Sequence, residues 1–102
     1  MYKRPQVPEG EMRVRTPRGK EMLGIVEAML GANRLNVRCQ DGKVRMCRIP
    51  GKLRKRVWVK VRDVVLIEPW DIQGETNANV VWRYTGTEAG WLIRKGILKM
   101  TS

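Results

Sequence analysis

The chain has 102 residues, of which 42% are hydrophobic, and this suits one small domain with a single modest core. Its formal net charge of +11 predicts a polyanionic partner, either nucleic acid or an anionic membrane surface. The sequence has no histidine and two cysteines, Cys39 and Cys47, so it offers neither a recognisable zinc spacing nor a Cys-His nucleophile pair. We therefore expect free thiols, no metal and no cofactor.

The first residues lack the apolar run of a secretory signal, and no window is long enough to cross a bilayer, so we expect a cytoplasmic protein. Residues 1–20 are rich in proline, glycine and charge and predict a mobile basic arm. This arm is either a solvated tail or a segment that folds onto RNA or a partner. Its cations, which are candidate RNA contacts, are Lys3, Arg4, Arg13, Arg15, Arg18 and Lys20. Membrane attachment by the arm lacks an accompanying apolar face or lipid signal.

Residues 21–30 are mostly apolar and predict a first strand. Helix is the competing interpretation, because Glu, Met, Leu and Ala all favour it. The β-branched pair Ile25-Val26 and the interior Gly24 favour the strand, with a bulge or sharp bend at Gly24.

Residues 34–49 form two alternating runs around Asp41-Gly42, which predicts a hairpin with a two-residue loop. In that register, one face is the core and the other is basic. The predicted core face holds Leu35, Val37, Cys39, Val44 and Met46. The predicted exposed face holds Asn36, Arg38, Gln40, Lys43, Arg45 and Cys47. The two cysteines then lie on opposite faces and cannot form a disulfide, and Arg48 falls on the core side, where we expect a bulge or the strand end.

Two further strands are predicted at residues 61–67, with a turn-like Arg62-Asp63 near the start, and at residues 79–84. Thr87 is a candidate N-cap for a short helix that ends at Gly96. Five strands with a short link between the third and fourth fit a closed Greek-key barrel of the OB type, an all-β fold. The predicted organisation is therefore an arm at 1–20, a barrel at 21–85, and a helix and tail at 86–102 that pack on the barrel.

Residues 34–60 hold ten Lys and Arg against one Asp, and the segment 49–60 crowds five cations around Trp58. Such a concentration of one charge predicts a surface for nucleic acid. Trp58 lies between two valines, which favours a place in the core or beneath the patch over base stacking. In an OB barrel the second and third strands form the nucleic-acid face, which the basic side of the hairpin matches. The candidate RNA-binding residues are Arg34, Asn36, Arg38, Lys43, Arg45, Lys52, Arg54, Lys55, Arg56, Trp58 and Lys60.

The predicted hairpin face offers cations and amides but no aromatic side chain, which favours recognition of the shape and backbone of a folded RNA. The alternative is a general single-stranded RNA or DNA chaperone of the cold-shock type, which requires aromatic-rich strands. An enzyme, such as a metal-dependent nuclease, has little support because the carboxylates show no ligand spacing. The carboxylates considered for that role are Asp63, Glu68, Asp71 and Glu75.

The run Gly-Lys-Leu-Arg-Lys-Arg-Val-Trp-Val at residues 51–59 resembles the translation initiation factor 1A family of archaea and eukaryotes. Residues 63–67, the Asn79-Val80-Val81 strand and the helix at Glu88-Ala89 are similar as well, so the resemblance covers about residues 8–98. It implies an OB-fold monomer that binds small-subunit rRNA around the decoding A site and works with initiator tRNA and other initiation factors. The chain ends at Ser102 without the acidic extension of eukaryotic members, which favours the archaeal form.

Overall fold

The computed structural model describes residues 14–54 and 59–98 and contains five strands and two helices in that part of the chain. In chain order they are β1 (Met22–Gly31), β2 (Arg34–Cys39), β3 (Val44–Arg48), α1 (Gly51–Arg54), β4 (Val64–Pro69), β5 (Asn77–Arg83) and α2 (Gly86–Arg94). The strands close into a barrel in the order β1-β2-β3-β5-β4, and β4 pairs back to β1. The predicted five-stranded closed barrel with a short C-terminal helix is confirmed.

Strand β4 is buried on both of its faces because it separates two apolar clusters. Val65 and Ile67 pack into the barrel interior with residues of the other strands. Val64 and Leu66 point to the opposite side and pack with Leu92 of α2. Burial on both sides explains why β4 is an unbroken apolar run rather than an alternating one. It begins at Val64 rather than at Val61, because the preceding turn includes a residue with positive φ.

Strand β1 is long and irregular, but its irregularities do not lie at Gly24. Gly24 pairs regularly with Cys39 of β2 and with Val65 of β4. A Cβ at this position would lie 2.3 Å from Cγ1 of Val37, so the glycine permits a close approach of β2. The register shifts lie further along, between Val26 and Ala28 and again towards Gly31. The prediction of a bulge at Gly24 is therefore wrong.

The β2–β3 hairpin has a three-residue loop, and its register differs by one residue from the predicted one. The backbone N–H of Cys39 donates to the carbonyl of Lys43, and Gly42 adopts a φ of +87°. An Asp-Gly pair suits both a three-residue loop and a two-residue turn, because the glycine can take the left-handed position in either. The resulting partners are Arg34 with Arg48, Leu35 with Cys47, Asn36 with Met46, Val37 with Arg45, and Arg38 with Val44.

This register exchanges the two faces of β3, because neighbouring side chains of a strand point to opposite sides. Arg45 and Cys47 face inward and are buried, whereas Val44 is 43% exposed. The faces predicted for β2 are correct, and those predicted for β3 are wrong. Cys39 and Cys47 consequently share the interior rather than lying on opposite faces, and both are free thiols.

Helix α2 begins two residues earlier than Thr87 suggests, because Thr85 is its N-cap. The side chain of Thr85 accepts from the backbone N–H of Glu88, and the Glu88 carboxylate accepts from the backbone N–H of Thr85. This reciprocal capping box satisfies two N–H groups that the first turn would otherwise leave free. The helix ends as predicted before Gly96, which has a φ of +73°.

Residues 14–20 of the predicted arm lie against the barrel. Val14 packs on the outer apolar cluster, and the hydroxyl of Tyr84 donates to the carbonyl of Arg15. Burial raises the pKa of that Tyr84 hydroxyl to about 12, so it stays a donor even in moderately alkaline solution. Lys20 forms an ion pair with Asp71. The mobility of the arm stays a prediction, and its residues 1–13 lie outside the described part of the chain.

Candidate nucleic-acid interface

A row of outward-facing residues crosses four neighbouring strands of the barrel. Arg34 on β2 pairs with Arg48 on β3, Arg48 pairs with Asn79 on β5, and Asn79 pairs with Glu68 on β4. Paired residues of adjacent strands point to the same side of a sheet. Arg34, Arg48 and Glu68 are exposed and Asn79 is half-buried, as expected for the outer side of the barrel. We call these four residues the outer row.

The outer row begins with two arginines directly opposite each other. Like charges in that position destabilise a sheet unless an anion lies between them. Within the described part of the chain, neither Arg34 nor Arg48 forms an ion pair or donates a side-chain hydrogen bond to a carboxylate. Both guanidinium groups are therefore available to an external anion. Arg48 was not among the predicted site residues, because the predicted register placed it on the core side.

The rest of the hairpin's outer side is mostly amide and apolar, and its one arginine is paired with a carboxylate of β1. Asn36 lies opposite Met46, which in turn pairs with Asn77 of β5, and all three side chains are half-buried. Arg38 lies beyond them, and its Nε donates to Oε2 of Glu27 at 2.7 Å. No aromatic side chain lies on β2 or β3, as their sequences show.

Arg45 is a predicted RNA contact that the structure places in the interior, and its assignment to the exposed face is wrong. It is 4% exposed, and its Nη1 and Nη2 donate to the two carboxylate oxygens of Asp41 at 3.0 and 2.8 Å. Its Nε donates to the carbonyl of Gly74 at 2.6 Å. The hydrogen bonds from Arg45 hold the pKa of Asp41 below its usual value. Arg45 therefore links Asp41 of the hairpin loop to Gly74 of the β4–β5 loop.

Two further cations near that end of the barrel are paired with carboxylates of the β4–β5 loop. The Nζ of Lys43 lies 2.7 Å from Oε1 of Glu75, and Lys20 pairs with Asp71. Each pairing lowers the pKa of the carboxyl group involved, through the hydrogen bond from the lysine. Lys20, Lys43 and Arg45 are therefore already engaged with protein groups.

The cations after β3 are described only in part. Lys52 lies exposed on α1, and Lys60 lies exposed before the turn that leads to β4. The described side chains form no ion pair with either lysine.

Besides Lys20, two cations of the predicted arm lie in the described part of the chain. Arg18 is exposed, and Arg15 lies over a tryptophan of β5. The predicted site residues outside the described part of the chain are Lys3, Arg4, Arg13, the Arg54 side chain, Lys55, Arg56 and Trp58.

A groove opens on the same side as the end of the outer row, between α1 and strands β4 and β5. Its volume is about 640 Å³, and its lining includes Lys52 from α1 together with Glu68 and Asn79 of the outer row. Trp82 forms part of its wall and is 37% exposed. The predicted site residues do not include Trp82, because strict alternation along β5 would place it on the same side as the buried Val80. A register shift pairs Ile67 of β4 with Val80 and Leu66 with Trp82, so Trp82 falls on the outer side with Leu66, which alternation alone does not reveal.

Three of the four carboxylates considered for metal-dependent chemistry are engaged with protein groups. Asp63 accepts from the backbone N–H of Lys60 at 2.8 Å, and the ion pairs above engage Asp71 and Glu75. Among the described residues, no group of three potential ligands could hold a metal ion. In the same part of the chain, no helix has the length and apolarity needed to cross a membrane.

Comparison with known proteins gives a consistent result over almost the whole chain. The family model "Translation initiation factor 1A / IF-1" matches residues 9–101. A translation initiation factor 1A from Methanococcus aeolicus is 50% identical over 101 residues, covering 97% of this chain and 96% of that protein. The corresponding factor from Methanothermobacter thermautotrophicus is 56% identical over 88 residues, covering 86% and 89%, respectively.

Solved structures resemble the barrel. The solution structure of translation initiation factor IF-1 from the Wolbachia endosymbiont of Brugia malayi aligns with a TM-score of 0.51 and 27% identity. The alignment covers 66% of this chain and 79% of that one. YjeQ from Thermotoga maritima aligns with the same TM-score at 22% identity, over 64% of this chain and 23% of its own, which reflects a shared fold.

Proposed function

Because the chain belongs to the translation initiation factor 1A / IF-1 family, we propose that it binds the small ribosomal subunit around the decoding A site. There it holds the rRNA mainly by its backbone and assists initiator tRNA binding and start-codon selection. The family consists of translation initiation factors rather than enzymes. The partners in this proposal are small-subunit rRNA, the initiator tRNA complex and other initiation factors, and the protein acts as a cytoplasmic monomer.

The observation that carries the proposal is the opposed pair Arg34 and Arg48 at the start of the outer row. An RNA phosphate between two such guanidinium groups would remove their mutual repulsion and accept forked hydrogen bonds from each. Lys52 extends the positive surface onto α1 as a point charge. Asn36 lies beside Arg34 on the outer side of β2 and offers an amide to an RNA sugar or base.

Backbone recognition suits this surface better than general binding of single strands. Chaperones of the cold-shock type stack successive bases on aromatic side chains of the sheet, and β2 and β3 carry none. The outer side of this hairpin instead supplies arginines and amides, which match phosphates and sugars of folded RNA. The predicted contacts of the arm and of residues 54–58 add to this surface in the proposal.

The test is cosedimentation with purified archaeal small subunits across a salt series, for the wild type and for Arg34→Ala/Arg48→Ala. Removing one cation that neutralises a phosphate should reduce the slope of log affinity against log salt by about 0.7–0.9, so the double variant should lower it by roughly 1.4–1.8. Its thermal stability should be unchanged or slightly raised, because two opposed like charges are removed.

The matched control is Arg94→Ala/Lys95→Ala, which removes the same charge from the end of α2. It should leave the salt slope close to that of the wild type. Equal losses in the two double variants would mean that only net charge matters and would count against a defined surface. Undiminished binding by the Arg34/Arg48 variant would rule out the outer row as the contact.

A further inference from the structure

The groove beside Trp82 differs in chemistry from the cationic part of the outer row. Its floor and walls are mostly aliphatic and aromatic, from Pro50, Leu53, Val80, Val81 and Trp82. Its volume of about 640 Å³ lies within the range of about 300–1,000 Å³ typical of pockets for small organic groups. Phosphates are unsuited to such a lining, but the flat apolar faces of nucleobases are suited to it.

Trp82 supplies an aromatic surface that the core does not use. Its strand neighbour Val80 is buried at 1% exposure, whereas Trp82 keeps 37% of its surface exposed. The guanidinium carbon of Arg15 lies 5.9 Å from the centroid of its ring, and the exposure persists with that contact in place. A cation–π contact at an exposed site is worth only about 0.5–1 kcal/mol, so a stacked base can displace it.

Two polar side chains at the groove could bind the edge of a base. The Oδ1 of Asn79 accepts from Nε1 of Trp70 at 3.1 Å, which leaves the Nδ2 amide group as a donor. The carboxylate of Glu68 is exposed and accepts no side-chain hydrogen bond within the described part of the chain. A carboxylate repels phosphate but accepts from the amino groups of adenine, cytosine and guanine.

The groove is also continuous with the proposed RNA surface. Asn79 and Glu68 belong to both, and Arg48 is the strand partner of Asn79. Among the described residues that line the groove, Lys52 is the cation, and it is positioned for a phosphate next to a bound base. This arrangement of one apolar slot with a cation beside it matches the chemistry of a nucleotide more closely than that of an apolar peptide.

We propose that this groove binds one unstacked nucleobase of the RNA, stacked on Trp82, with its edge at Asn79 and Glu68 and its phosphate near Lys52. The inference rests on the proposed function, because the base belongs to the RNA held by Arg34 and Arg48. It adds a contact whose strength does not depend on counterion release, since stacking neutralises no phosphate.

The first experiment measures small-subunit binding of Trp82→Leu and Trp82→Phe across the same salt series as the wild type. Removal of one base–aromatic stack should weaken binding by about 5- to 150-fold at every salt concentration, with the salt slope unchanged. The phenylalanine variant should recover most of the affinity. Trp91→Leu is the matched control, because Trp91 lies on α2 with Lys95 over its ring and outside the groove.

The second experiment uses free nucleotide, so that it does not depend on the ribosome. The indole N–H signal of Trp82 is assigned in a two-dimensional NMR spectrum by its loss in Trp82→Phe. Adenosine monophosphate should shift this signal, and ribose 5-phosphate, which lacks the base, should not. Thermal melting of each variant verifies that it is folded.

The outcomes separate this inference from the proposed function. If Trp82→Leu binds subunits as the wild type does and the nucleotide leaves the indole signal unmoved, the base site is overturned while the Arg34/Arg48 surface stands. After such a result, a protein partner would be the remaining candidate to bind in the groove. If the wild type binds no subunits, the proposed function fails, and a nucleotide-dependent shift would still support the base site. Equal shifts of the indole signal with adenosine monophosphate and with ribose 5-phosphate would also overturn the base site.

Discussion

The two ends of the β2–β3 hairpin use the same residue types for opposite purposes. At the loop end, Arg45 is buried in a fork with Asp41, and Lys43 pairs with Glu75. At the open end, Arg34 faces Arg48, and the described part of the chain gives neither a carboxylate partner. The difference shows that a count of cations does not locate a binding surface in this protein. The partner of each cation shows which of them is free to bind an anion, and on β3 a one-residue difference in register decides that partner.

The largest effect on stability should come from removing Arg45, the buried arginine at the loop end of the hairpin. Arg45→Ala leaves Asp41 without its fork and frees the β4–β5 loop, which should lower the free energy of unfolding by about 2–4 kcal/mol. At about 4–8 °C per kcal/mol for a domain of this size, the melting temperature should fall substantially. Thermal or urea unfolding measures this directly.

The comparison variant is Arg48→Ala on the same strand. The Arg48 side chain is exposed and has no ion pair among the described residues, so its removal should change stability by less than about 0.5 kcal/mol. The two variants have the same charge, so any difference in unfolding reports the environment of the arginine. Similar melting temperatures would contradict the distinction between the two ends of the hairpin.

Acidification should act selectively on the loop end of the hairpin, where cations are paired with carboxylates. Since hydrogen bonds from Arg45 lower the folded-state pKa of Asp41 below its ordinary value of 3.8, the carboxylate stabilises the fold fully above that value. This contribution should be lost as the pH falls from about 4 through the lowered pKa. Urea unfolding of the wild type and of Asp41→Asn between pH 7 and pH 2 isolates it. The variant should be less stable at neutral pH, and the gap should narrow in acid; a constant gap would exclude the linkage.

The smallest effect should come from the exposed pair at the hairpin loop. The side chains of Lys43 and Glu75 are 46% and 82% exposed, so solvent screens their attraction. Lys43→Ala should therefore change the free energy of unfolding by about 0–0.5 kcal/mol. Adding 0.5 M salt should leave wild type and variant indistinguishable by thermal melting. A loss comparable with that of Arg45→Ala would mean that the loop contact, rather than burial, determines the effect.

Local patterns are sufficient to predict the barrel. Alternation in β2, the unbroken apolar run of β4 and the Asp-Gly loop each favour one element strongly, and five such strands leave few closed arrangements. Gly24 is recognisably unusual, but sequence could not distinguish a bulge from a close approach of β2, because both require the absence of a Cβ.

The site is harder to predict because it depends on register. Asp41-Gly42 fits a two-residue and a three-residue loop, and the choice moves Arg45 between solvent and core. The signal that favours the longer loop is Arg48, which the shorter loop turns inward without a partner. An inward Arg45 has Asp41 four residues away to neutralise it, and that carboxylate is visible in the sequence. Weighing both inward arginines against their nearest acids would have selected the observed register.

The outer row joins residues that lie far apart along the chain, from Arg34 on β2 to Asn79 on β5, and the parallel pairing of β3 with β5 brings them together. No isolated hairpin or fragment that ends before β5 therefore presents it. A ligand that bridges this row can bind only the completed barrel, so it should raise the melting temperature of the entire protein by mass action. Protection of the slowest-exchanging backbone amides by added ribosomal RNA would report this coupling without any label on the protein.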